Sequence, residues 1–200
     1  MVKQMAEKLS RRLVANNIIT MEDRRFYTYG LELILNDILI FVVIAVISVV
    51  TNTIGITAIF TVVFCVLRAF TGGYHSKSYL GCFLITLLNY LAMLWVVSNL
   101  DAAGLAAGRG MMFLATAVIW RLAPIEHRNN PFGDGEKKKY RRISRILSLI
   151  LVFLYVISIA FFPSEIMFTI SWSVFATAVL MLLAIIVQKK EGTANEEKAS

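Results

Sequence analysis

Six stretches of apolar sequence, each close to the length that crosses a bilayer, constrain this chain more than any motif within it. A hydrocarbon core of about 30 Å takes about 20 residues of helix, with roughly 17–25 tolerated. Leu33–Val50, Thr53–Phe70 and Tyr79–Leu100 meet that length, as do Ile146–Phe162 and Ile166–Val187, which are joined by the turn Pro163-Ser164-Glu165. The remaining stretch, Gly104–Ala123, is weaker, because Arg109 interrupts it and Gly104, Gly108 and Gly110 loosen its start. Apolar residues make up 58% of the chain and charged residues 16%, against about 45–50% and about 25% in soluble domains. Both a soluble globular domain and a disordered chain are thereby excluded. The expected fold is all-α: a polytopic membrane protein of six transmembrane helices.

An even number of spans returns the C-terminus to the side of the N-terminus, and the basic residues choose that side. Loops kept in the cytoplasm carry the excess of Lys and Arg. With both termini inside, 19 of the 20 Lys and Arg residues fall in cytoplasmic segments and only Arg109 lies outside. The net charge of +7 is therefore topological, and it does not call for a nucleic-acid partner. The basic run Lys137–Arg145 serves retention and contact with anionic lipid. Ahead of the spans, Val2, Met5, Ala6, Leu9, Leu13 and Val14 recur at helical spacing with Lys3, Lys8, Arg11 and Arg12 between them. That is the pattern of an amphipathic helix lying on the inner membrane surface. The chain reads as one membrane domain, with an amphipathic segment at 1–28, a six-helix core at 29–190 and a polar, disordered tail at 191–200.

Chemistry is sparse. The two cysteines, Cys65 and Cys82, make neither a disulfide scaffold nor a four-cysteine zinc site. The connection between the second and third spans stands out: Arg68 is followed by Gly72-Gly73, then His75, Ser76 and Ser78, and Cys82 stands seven residues beyond His75. Glycines permit positive φ and close backbone approach at a sharp reversal. Seven residues are about two helical turns, so His75 and Cys82 share a face if the helix already includes His75. A thiol in a low-dielectric site needs a cation or a helix N-terminus to form its thiolate, and His75, Arg68 and Lys77 lie close in sequence. A Cys-His pair suffices for acyl transfer from a peptide carbonyl. The plainer alternative is a buried thiol beside a helix-capping histidine.

These residues, in this order and between two apolar spans, resemble the accessory gene regulator B (AgrB) family of bacterial membrane cysteine endopeptidases. Tyr29-Gly30-Leu31-Glu32, Ala123-Pro124, Asn130-Pro131 and the run Lys137–Arg142 extend the resemblance over almost the whole chain. The resemblance implies a multi-pass protein of the bacterial cell membrane with its site at the cytoplasmic face. Cys82 would be the nucleophile and His75 the general base and acid, supported by Arg68, Gly72 and Gly73. The implied substrate is a quorum-sensing propeptide (AgrD-like) with an amphipathic leader, a signal segment and an acidic tail. Cys82 would release the tail through an acyl-enzyme, and an internal cysteine or serine would close a thiolactone or lactone. Lys137, Lys138, Lys139, Arg141 and Arg142 become candidates for binding the acidic tail, and Glu32 a further substrate contact. No cofactor or metal is implied; a homodimer fits but no motif demands it.

Several polar residues have plainer roles. Glu32 and Asp37 are costly in lipid; one could orient His75, but a salt bridge to Arg68 or Arg121, or simple interfacial exposure of Glu32, is the plainer reading. Asn89 suits an interhelical hydrogen bond. A zinc site from Cys65, His75, Cys82 and His127 lacks the usual close ligand pairs. Two other classes remain open from the residues alone. One is a small transporter with Asp37, Arg68 and Arg121 along its pathway, and the other a non-catalytic membrane adaptor.

Overall fold

The computed structural model describes residues 2–73, 79–126 and 135–199. Among them are seven helices and no strands. They are α1 (Val2–Ala15), α2 (Arg24–Val50), α3 (Ile54–Thr71), α4 (Tyr79–Ser98), α5 (Ala102–Leu122), α6 (Glu136–Phe161) and α7 (Ser164–Ala199). All but α1 are long and apolar enough to cross a membrane. This is the all-α, six-span architecture that the apolar segments predict.

The helices exceed the apolar segments at several ends, for local reasons. α2 begins at Arg24 rather than Leu33, after a turn that Thr20 and Asp23 close. The Thr20 hydroxyl accepts from the Asp23 backbone N–H at 3.2 Å and donates to the Asp23 carboxylate at 2.7 Å, and the Asp23 carbonyl accepts from the Phe26 and Tyr27 backbone N–H groups. α5 begins where Asp101 accepts from the Gly104 backbone N–H at 2.7 Å, which offsets the glycines that follow. α6 takes in the basic run from Glu136, since Lys and Arg are good helix formers. α7 continues to Ala199, through the polar stretch for which the sequence suggests disorder. Glu, Lys and Ala favour helix there, and extending an existing helix needs no new nucleus.

The chain divides into two compact units. One holds α1, α2 and α4 as far as Leu88; the other holds α3, α4 from Asn89, and α5, α6 and α7. In the first, α1 packs on α2, and the Thr28 hydroxyl donates to the buried Ser10 hydroxyl at 2.8 Å. In the second, α7 packs against α3, α5 and α6. Its core gathers Leu67, Met112, Ile119, Val174 and Met181, all fully buried. Gly108 brings α5 close to α7: a Cβ there would stand 3.0 Å from the Phe168 ring.

Buried hydroxyls in this core are satisfied within it. Ser171, Ser173 and Thr177 donate to the carbonyls four residues earlier on α7 at 2.8–3.0 Å. The Tyr90 and Thr57 hydroxyls bond at 2.8 Å, and Tyr90 lies against Phe60, which stacks on Phe64. The Trp172 indole donates to the Asn89 side-chain oxygen at 3.0 Å, so Asn89 makes the interhelical bond its sequence suggests. Large apolar side chains such as Val46, Val50, Phe113, Leu114 and Phe153 remain outside. Small hydroxyls inside and bulky hydrocarbon outside suit lipid as the solvent.

The Tyr90–Thr57 bond carries a prediction. Tyr90→Phe removes it without opening a cavity, and should lower stability by about 0.5–1.5 kcal/mol. Thermal unfolding in detergent would show a lower melting temperature; an unchanged one would contradict the contact.

Candidate active site at the end of the second unit

One end of the second unit collects the C-terminal ends of α3, α5 and α7 with the N-terminal end of α6. α3 stops at Thr71, which is fully buried and donates to the Leu67 carbonyl at 2.9 Å. The next residues leave the helix by pairing. The Ile125 backbone N–H donates to the Thr71 carbonyl at 2.9 Å, and Gly72 forms an isolated parallel bridge with Ile125. Gly72 has φ +69° and Gly73 φ +143°, conformations that side chains rarely tolerate. A Cβ on Gly72 would collide with the Ile125 carbonyl oxygen. One on Gly73 would stand 3.4 Å from an Arg68 guanidinium nitrogen and 3.7 Å from the Leu180 carbonyl. The glycine pair therefore lets the chain leave α3 between the α5 exit and α7, hard against Arg68. Arg68 itself is half-buried, with its guanidinium carbon 5.9 Å from the centre of the Phe64 ring, a cation–π geometry.

The basic start of α6 sits at this same end. Ser144 donates to the Phe70 carbonyl at 2.9 Å, and the Tyr140 ring lies 6.0 Å from that of Phe70. Arg145 stacks 5.0 Å over Trp120 and donates to its carbonyl at 3.2 Å. Lys137 forms an ion pair with Glu126 at 2.6 Å, so its charge is largely answered within the chain. Lys138, Lys139, Arg141 and Arg142 are exposed. Gln188 on α7 donates to the Glu126 carbonyl at 2.8 Å, which ties the α5 exit to α7.

Of the site residues expected from sequence, Arg68, Gly72 and Gly73 come together here, with Lys137–Arg142 on the neighbouring helix. Cys82 occupies the first turn of α4 in the other unit and is half-buried. His75 and His127 lie outside the described residues. Cys65 is half-buried, and no disulfide joins it to Cys82. Glu32 departs from its expected interfacial exposure: it is buried, at 7%, in the unit of α1 and α2. There it lines a cavity with Lys3, Arg11, Arg24 and Arg25, whose charges make a carboxylate tolerable away from water. Asp37 is exposed.

Sequence reading missed Ile125, Ser144 and the backbone of Glu126, whose bonds to Thr71, Phe70 and Gln188 cross more than fifty residues of chain. Ala123-Pro124 was the one local signal there, since a residue before proline is biased towards extended backbone. That is the conformation Ala123 adopts.

The described geometry is thus a glycine exit braced on a second chain segment, with an arginine and a basic helix beside it. Comparison with known families then decides the lineage, because the family model for Accessory gene regulator B matches residues 3–186. The chain belongs to the accessory gene regulator B family. No curated protein and no solved structure gives a significant match. Membership places this AgrB protein in the agr quorum-sensing system, in a membrane family of cysteine protease-like processing proteins. It also points to a propeptide partner of the AgrD type.

The glycine exit makes a sharp prediction. Gly72→Ala adds both a positive-φ penalty and a backbone collision, and should cost more than about 2 kcal/mol. Gly30→Ala, on α2 with nothing within 4 Å of the new methyl, should instead add about 0.5–1 kcal/mol. Melting temperatures of the two variants on opposite sides of the parent would bear this out; equal values would refute it.

Proposed function

We propose that this AgrB protein is a membrane-embedded cysteine endopeptidase that removes the acidic tail of its signal propeptide and closes the signal into a ring. Cys82 is the nucleophile and His75 its proton carrier. The reading is supported most by the position of Cys82 in the first turn of α4, where the partial positive charge of a helix N-terminus favours thiolate. His75 enters the chain two residues after the braced Gly73 and four before α4 begins.

The chemistry balances without a cofactor. His75 takes the proton of the Cys82 thiol as sulfur attacks the carbonyl joining signal to tail. The tetrahedral intermediate collapses, the peptide C–N bond breaks, and the His75 proton leaves on the tail's new amine. The signal segment is now held as a thioester on Cys82. A thiol or hydroxyl within that segment attacks the same carbonyl, His75 accepts its proton, and Cys82 departs as thiolate and is reprotonated. Exchange of one thioester for another is nearly isoenergetic, and exclusion of water at the membrane boundary protects it from hydrolysis. Arg68 and the two glycines support the site.

In this scheme both termini and the site face the cytoplasm, α1 lies along the inner surface, and a second copy of the chain is a compatible partner. The exposed Lys138, Lys139, Arg141 and Arg142 hold the acidic tail. Lys137 contributes less, because Glu126 already answers its charge. Glu32, buried among cations on α1 and α2, has no part in holding an acidic segment.

Two predictions test the scheme. Incubated in lipid with the propeptide, wild type should yield the freed tail and a signal fragment lighter by one water than the hydrolysed form. Cys82→Ala should yield neither, and His75→Ala should be slower by at least about a hundredfold. Cleavage by Cys82→Ala at the wild-type rate would refute Cys82 as the nucleophile, and no cleavage by wild type would refute the scheme in favour of a transporter or an adaptor. Replacing Lys138, Lys139, Arg141 and Arg142 by Gln should raise KM several-fold at low salt, and the difference should shrink as salt screens the charges. An unchanged KM at low salt would remove the basic helix from substrate binding.

A further inference from the structure

We infer that the cavity between α1 and the first turns of α2 binds the phosphate of an anionic phospholipid headgroup. The cavity has a volume of about 590 Å³, and its walls carry Lys3, Arg11, Arg24 and Arg25 against the carboxylates of Glu7 and Glu32. Glu7 lies 3.9 Å from Arg11 and so is engaged on one side. Lys3, Arg24 and Arg25 then face the single buried carboxylate of Glu32. The Nε of Arg24 is buried and has no hydrogen-bond partner among the described residues. A buried guanidinium N–H without an acceptor is costly, and a phosphate oxygen is the acceptor that a guanidinium fork matches best.

Depth favours a lipid as the source of that phosphate. α2 has 27 residues, about 40 Å of helix at about 1.5 Å per residue, against about 30 Å of hydrocarbon. Counted back from Val50, about 20 residues fill the hydrocarbon. The two turns or so that begin at Arg24 fall in the layer of lipid phosphates. Apolar side chains beside the cavity mouth point the same way. Met21 lines it and is 68% exposed, and Phe26, Tyr27 and Tyr29 on the same turns are exposed too. Aromatic side chains of this kind suit the water–hydrocarbon boundary, and acyl chains would cover them when the headgroup is seated. A free anion would leave them bare. An acidic peptide would meet the cations equally well but gains nothing from Met21 and Phe26.

The test is thermal unfolding of the full chain in neutral detergent, with phosphatidylglycerol, phosphatidylcholine, inorganic phosphate or a short polyglutamate peptide added. This readout is independent of proteolysis. Phosphatidylglycerol should raise the melting temperature of wild type by several degrees and the other three should not. In Arg24→Gln/Arg25→Gln that rise should fall by at least half, whereas Lys189→Gln/Lys190→Gln, which removes equal charge elsewhere, should retain it. If the α2 variant does not fold, Lys3→Gln/Arg11→Gln on the exposed side of α1 should show the same loss. An equal rise in wild type and the cavity variants would overturn the proposal, as would an equal loss in the Lys189/Lys190 variant. A rise with inorganic phosphate as large as with phosphatidylglycerol would overturn the lipid as occupant. A larger rise with polyglutamate would assign the cavity to an acidic peptide instead.

Discussion

A peptide group left unpaired in hydrocarbon costs several kcal/mol, and every feature of this protein answers to that cost. Helices are the only open-chain solution, so the six apolar segments become six helices. Polar side chains inside must also find partners at short range, which is why the buried hydroxyls of α7 bond back to their own helix. The same rule governs the exit from α3. Irregular backbone at the end of α3 is tolerated because Thr71 and Gly72 pair with Ile125. The glycines that make the exit possible also seat it against Arg68 and α7.

The two units divide the labour differently. The second has a dense core in which α7 is gripped by three neighbours, a frame that fixes the glycine exit at its end. The first joins the span of α2 to α1, and where the two meet it has charged walls and exposed aromatic turns, which suit the membrane boundary. Cys82 rides on the part of α4 that belongs to this first unit. Cys82 is positioned by the backbone of a regular helix, whereas Arg68, in the second unit, is positioned by packing.

Much of this was legible in the sequence, and the physical reason is period and length. Apolar runs of about 20 residues allow few alternatives, so the number and type of elements followed directly. The pattern Arg68, Gly72-Gly73, His75, Cys82 singled out one connection as the candidate for chemistry, because its residue types are poor choices for a mere turn in lipid, and the glycine exit beside Arg68 is the part of it that the structure describes. Helix ends were less legible: the Thr20–Asp23 turn before α2 and the helical basic run of α6 depend on local bonds that hydropathy does not register. Tertiary pairing was illegible. Nothing near Ile125 predicts its pairing with Thr71, and nothing near Glu32 predicts its burial, since the first depends on a segment more than fifty residues away and the second on α1 folding back over α2.

The claim on which the rest hangs is that Cys82 carries the signal segment as a thioester. Intact-protein mass spectrometry tests it most directly, using a propeptide whose internal ring-closing cysteine or serine is replaced by alanine, so that the acyl-enzyme cannot be discharged by cyclisation. The account predicts an adduct with the mass of leader plus signal, mapped to Cys82 by digestion and removed by hydroxylamine. Tail release with no adduct, or an adduct mapped to Cys65, would contradict it.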